Sequence, residues 1–179
     1  MTRNKQLITI ATTAIIVIAI VASALIFIKK TPLPGIETSV QSWDHIPPGT
    51  KFSSYKSSPP TSGPHYPDPA VCKFHESGAP IQNLIHNMEH GHIVLLYQRS
   101  TDAATIEKIK KLTEELSPKG WFLASAYDNI PSKFAITSWG WHQLFDTYDE
   151  PSIRKFYEAH KEKGREYISC ALQMDPKKR

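Results

Sequence analysis

Cysteine is scarce in this chain, with only Cys72 and Cys170 among 179 residues. That excludes a disulfide-dense scaffold and any four-thiolate metal cluster. A surplus of one charge is also missing from most of the chain. Arg3, Lys5, Lys29 and Lys30 are four of the 21 basic residues, and all 17 acidic residues lie beyond position 31. The remainder therefore carries 17 basic against 17 acidic residues, and the formal +4 belongs to the amino-terminal end. A basic surface for nucleic acid is not expected. Internal repeats are absent too. What remains is a chain of ordinary aliphatic and aromatic content, long enough for one folded domain.

Charge is missing altogether from Leu7 to Ile28, where only Thr and Ser interrupt the apolar run. As a helix this stretch would reach about 33 Å, enough to cross a bilayer core. Ala22-Ser23-Ala24 also fits the cleavage pattern of a signal peptide, but the apolar run continues to Ile28 and stops at two lysines. The expectation is a six-residue leader (1–6), a single-pass membrane helix (7–28) and a domain held outside the cytoplasm. The lipid bilayer is then one partner, and a membrane protein is a second candidate.

Proline is concentrated: nine of the 14 lie between Thr31 and Pro69. It removes backbone donors and fixes φ, so neither a helix nor a central strand is expected there. Residues 29–42 read as a stalk. Trp43, Ile46, Phe52 and Tyr55 are too apolar for a linker and assign the later part to the domain surface. Within it PPTSGPHYPDP, Pro59 to Pro69, is stiffened by Pro60, Pro64 and Pro67, and it can hold His65 in a fixed direction.

The chemistry concentrates in NLIHNMEHGHIVLLY, Asn83 to Tyr97. His86, Glu89 and His90 stand at offsets of three and four, one face of a helix. Gly91 marks its stop, and Ile93 to Leu96 reads as a buried strand. The short helix should run from Ile81 to His90 and the strand from His92 to Gln98. An amphipathic helix follows over Asp102–Leu116, with Ile106, Ile109, Leu112 and Leu116 inward. Trp121–Tyr127 reads as a strand. Phe134–Phe145 reads as a longer β segment, bent or paired at Gly140. A last helix spans Glu150 to Lys163, capped by Asp149, with Ile153, Phe156, Tyr157 and His160 buried. The fold class expected is α/β (α+β): one small domain, residues 43–170, a mixed sheet with helices mainly on one side, and a basic tail over 171–179.

PPTSGPHYP and IHNMEHGHIVLLY, with FAITSWGW and FYEAHKEKG after them, resemble a family of membrane-anchored prokaryotic proteins defined only as a domain of unknown function. The resemblance covers Trp43 to Glu166. It implies one amino-terminal membrane helix, one extracytoplasmic domain, and a shared constellation of His65, His86, Glu89, His90 and Gly91. It brings no activity with it.

Three readings of the chemistry stand side by side. In the first, a transition-metal ion is bound for delivery or sequestration. His86 and His90 are its first ligands, His65 closes the set, and Glu89, His92 or Met88 assist. Imidazole alone suits zinc or copper among others, and a sulfur donor, Met88 or Cys72, tilts the choice toward copper. In the second, His86-x-x-Glu89-His90 is an inverted zinc-peptidase motif in which Glu89 activates water, although Gly91 ends the helix at once. In the third there is no metal, and the same residues hold an accessory module together by hydrogen bonds. His142 and His160 read as core histidines. Cys72 and Cys170 either form a disulfide across 97 intervening residues or remain thiols, with Cys72 in a C-x-x-H pair with His75.

Overall fold

The computed structural model describes residues 13–19 and 32–173. The chain divides into two compact units, Met1–Pro32 and Leu33–Arg179. In the first, residues 13–19 are helical (α1) and exposed. Among the described residues no helix is long and apolar enough to cross a membrane. The leader, most of the expected 7–28 span and the end of the tail lie outside the described residues.

The second unit is built on a six-stranded mixed sheet. Its strands are β1 (Ile36–Glu37), β2 (Phe74–His75), β3 (Ile93–Tyr97), β4 (Phe122–Ala126), β5 (Phe134–Ser138) and β6 (Trp141–Phe145), in the order β1-β6-β5-β3-β4-β2. The helices are α2 (Ile81–Glu89), α3 (Ala103–Leu116), α4 (Glu150–His160) and the short α5 (Cys170–Gln173). Parallel β3 and β4 are joined by the α3 crossover, with Leu95 opposite Ala124. β5 and β6 form the hairpin expected at Gly140, whose φ of 72° suits the turn. Asp102 accepts from the Thr105 N–H at 2.9 Å and Asp149 from the Ser152 N–H at 3.1 Å, so α3 and α4 begin at side-chain caps.

The central strand explains the layering. Every residue of IVLLY is buried, and alternate side chains of a strand point to opposite faces. Ile93, Leu95 and Tyr97 pack with Ile109, Leu112 and Leu116 of α3 and with Ile153, Phe156 and Tyr157 of α4. Val94 and Leu96 pack with Leu84, Ile85 and Met88 of α2 and with Leu123. Helices therefore cover both faces, two on one and α2 on the other, where helices mainly on one side were expected. A strand without a polar face cannot leave either side to water, and each buried Leu or Ile contributes about 1.5–3 kcal/mol.

The expected stalk also differs. From Leu33 onward the chain belongs to the domain: β1 pairs antiparallel with β6, and the Pro34 carbonyl accepts from His160 Nε2 at 2.8 Å. The prolines restrict this segment to the sheet edge, where missing donors cost little. Cys72 and Cys170 are joined as a disulfide. It ties the segment after α4 back to the segment before β2.

Candidate metal centre

Four chain segments meet at the carboxyl end of α2. The helix ends in a Schellman motif: Gly91, at φ 93°, donates its N–H to Met88 O at 2.9 Å, and His92 N donates to Asn87 O at 3.0 Å. His86 and Glu89 leave the last turn on one face, and His90 follows as the cap residue. Segment 162–166 crosses this end closely, with Glu162 N bonded to Gly91 O and Glu166 N to Glu89 O, at 2.9 and 2.8 Å. Position 164 must be glycine, since a Cβ there would lie 2.2 Å from Glu89 O. That crossing delivers Arg165 and Glu166 to the site.

The remaining two segments come from the proline-rich stretch that precedes β2. Residues 42–46 run beside 63–65 as a short parallel bridge. Gly63 N bonds to Ser42 O, His65 N to Asp44 O and Ile46 N to His65 O, at 3.0, 3.0 and 2.8 Å. Their consequence is to set His45 beside His65. The ring centroids of His45, His65 and His86 lie 4.9 to 5.2 Å apart in pairs. One ligand atom from each of His45, His65, His86 and Glu89 falls within 4.8 Å of the others.

Tautomers follow from the backbone. His65 Nδ1 stands 2.8 Å from Gly63 O, and His86 Nδ1 stands 2.7 Å from Tyr66 O. A carbonyl only accepts, so each Nδ1 carries the proton and donates, leaving each Nε2 as the lone-pair nitrogen. A carbonyl orienting the far nitrogen of the ring is the usual second contact of a metal-ligating histidine. His65 Nε2 then faces Glu89 Oε2 at 3.1 Å, and His45 Nε2 lies 3.8 Å from the same oxygen. Lone pair against carboxylate is repulsive, so this contact calls for a cation, either a second proton or a metal ion.

Glu89 itself is fully buried. Burial would raise its pKa, but with a second proton on His65 the hydrogen bonds from His65 and Arg165 outweigh that and hold it at about 2. Arg165 Nη1 binds Oε1 at 3.2 Å, with its guanidinium stacked over the Trp43 ring. Oε2 is thereby left for the imidazoles. Burial lowers the pKa of His86 despite the bond to Tyr66 O, so its ring is neutral and able to coordinate near neutral pH.

Beside this set lies a second one made of His86, His90 and Glu166. His90 Nε2 is 2.9 Å from His86 Nε2 and 3.4 Å from Glu166 Oε2. Since His86 Nε2 has no proton, His90 must supply it, which leaves His90 Nδ1 as a bare acceptor. That atom is buried and has no partner among the described residues. Burial first, and His86 second, push His90 down to about 4.

Of the residues singled out from the sequence, His65, His86 and Glu89 converge, and His90 lies in the adjoining set. His92 and Met88 do not join them. His92 donates from Nε2 to Ile168 O at 2.9 Å and accepts at Nδ1 from Asn87 Nδ2 at 3.1 Å, with the disulfide sulfurs against its ring. Both nitrogens are spent, and burial pushes its pKa down to about 3. Met88 points the other way, into the apolar cluster of Leu84 and Leu96, because position 88 falls off the His86–Glu89 face. Cys72 is sulfur-bonded to Cys170, and His75 Nε2 donates to Val71 O at 2.7 Å, so the C-x-x-H pair makes no ligand set. His142 and His160 are buried apart from the site, as expected of core residues.

His45, Arg165 and Glu166 were not anticipated. The one trace of His45 in the sequence is its setting, Trp43-Asp44-His45-Ile46-Pro47-Pro48, another histidine on a proline-stiffened stretch. The buried histidine and glutamate groups could hold a metal ion. Neither the curated proteins nor the solved structures contain a match to the chain. Residues 45–171, which include His45, His65, His86, Glu89, His90 and Glu166, match the family described as "Protein of unknown function (DUF3105)", and the chain belongs to that family.

Proposed function

We propose that the chain is a membrane-anchored, extracytoplasmic protein that binds a divalent transition-metal ion at His45, His65, His86 and Glu89, for delivery or sequestration. The observation that carries this reading is the pair of backbone-fixed tautomers in one ligand set, with His65 Nε2 3.1 Å from the buried Glu89 carboxylate and His86 beside it. An ion with bonds of about 2.0–2.1 Å would draw the four atoms to about 3.3 Å from one another. The half-exposed His45 can supply most of that movement.

Three nitrogens and one oxygen, without sulfur, suit Cu(II) or zinc better than Cu(I). Copper stands highest for such a set in the order of divalent affinities. Extracytoplasmic placement is supported by the Leu7–Ile28 run and by the disulfide, which persists in oxidising compartments. Hydrolysis through H-x-x-E-H has weaker support: the Glu89 carboxylate is held by Arg165 at Oε1 and faces His65 at Oε2, and His90 lies past the last helical residue. The architectural reading is favoured by one observation, the Arg165–Glu89–His65 chain of charge, which satisfies a buried carboxylate without any ion.

Titration of the full chain, purified in mild detergent and stripped with chelator, separates these readings. Wild type should take up one Cu²⁺ or Zn²⁺ per chain, and His86→Ala should weaken that uptake by about 100-fold or more. A wild type that binds neither ion leaves the architectural reading standing alone.

A further inference from the structure

The two ligand sets share one atom. His86 stands both in the set of His45, His65 and Glu89 and in the set of His90 and Glu166, and because it spends Nδ1 on Tyr66 O, only its Nε2 is left to bind an ion in either. One lone pair serves one ion at a time. The sets are therefore alternative positions of a single ion, not a dinuclear centre.

Resting on the metal-binding reading above, we infer that this is a two-position transfer site: the ion leaves the buried set by exchanging His65, His45 and Glu89 for His90 and Glu166 while His86 stays bound. The exchange is stepwise substitution of ligands, with no change of oxidation state. His90 gives up its Nε2 proton as the ion arrives, and its unpartnered Nδ1 can take that proton without any rearrangement of the ring.

The two positions differ in exposure. Glu89 is buried and already neutralised by Arg165, whereas the Glu166 side chain is 41 % exposed. Glu166 thus presents a carboxylate on the solvent side of His90, where an acceptor's own donor atoms can displace it. The acceptor this implies carries carboxylate or imidazole donors and takes the ion by joining its coordination shell before Glu166 leaves. Segment 162–166 sets both halves of the device, because Arg165 holds Oε1 of Glu89 and the neighbouring Glu166 holds the outer position.

The direction of a kinetic effect tests this. Loss of an ordinary equilibrium ligand speeds release of the ion, whereas loss of a stepping stone slows it. The full chain is loaded with Cu²⁺ and mixed with excess EDTA in a stopped-flow instrument. Glu166→Gln keeps the size of a surface side chain and should release the ion about tenfold more slowly than wild type. His90→Phe should slow release likewise, and wild type should bind one ion per chain at saturation. Release from Glu166→Gln at the wild-type rate or faster overturns the transfer path and leaves the buried site intact. Two ions bound together overturn the shared-ligand argument. A wild type that takes up no ion overturns the metal-binding reading itself, and this inference with it.

Discussion

Replacing Glu89 by glutamine removes a charge while leaving shape almost unchanged, so it isolates the electrostatics of the site. The carboxyl is held at about 2 against an ordinary 4.5. A folded value below the unfolded one means stability that is fully present above the unfolded value and is lost as pH falls through the folded one. The window is therefore pH 4.5 down to about 2. At about 1.4 kcal/mol per unit the displacement amounts to about 3 kcal/mol. Arg165, half of whose side chain is exposed, loses part of its share to solvent screening, and about 2 kcal/mol is the figure to expect. Urea unfolding of the chelator-treated chain at pH 7 and pH 3 measures it. The Gln variant should be less stable by about 2 kcal/mol at pH 7 with an unchanged m-value, and the gap should narrow at pH 3 as wild type loses its advantage. Equal stability at pH 7 would refute the ion-pair account. A gap of the same size at both pH values would show that packing, not charge, was lost.

Three further predictions follow from particular contacts. The double variant Cys72→Ser/Cys170→Ser opens a link across a sequence separation of 98 and should lose about 4–5 kcal/mol in the chain-entropy model, read by urea unfolding; a loss under about 1 kcal/mol would contradict it. Met88→Leu conserves volume in the Leu84–Leu96 cluster, so it should cost less than about 1.5 kcal/mol and leave metal uptake untouched in calorimetry, whereas a thioether ligand would be missed at once. Metal affinity, followed by titration from pH 8 to pH 5, should fall on the acid side as protons compete for imidazole nitrogens. Burial lowers the pKa of His86, so its own share of the fall should come below the ordinary imidazole value of 6.5, and a flat profile would argue against histidine ligation.

Wherever local periodicity governs, the architecture could be read from the sequence. Helices α2, α3 and α4 and strands β3 and β4 lie within a few residues of the segments their apolar spacing marks, because caps such as Asp102 and stops such as Gly91 act over one turn. The two-sided burial of β3 was legible in the uniform IVLLY run, which offers no polar face. Counting helices did not reveal which face α2 would cover, since that depends on the path of the chain through Gly91. At the site, His86 and Glu89 belong to one helical turn and His65 to a stiff loop, so local rules find them. His45 is set beside His65 by backbone bonds between two irregular segments, which have no periodicity to read. Arg165 reaches Glu89 across 76 positions of sequence, steered by the close crossing at Gly164. Long-range contacts of this kind leave no trace in spacing.

The most direct test of the central claim is X-ray absorption on the copper- or zinc-loaded full chain, which counts donor atoms by type and distance. The account predicts three imidazole nitrogens and one carboxylate oxygen at about 2.0–2.1 Å, with one imidazole lost in His45→Ala. A sulfur shell at about 2.3 Å, or a spectrum that His45→Ala leaves unchanged, would contradict it.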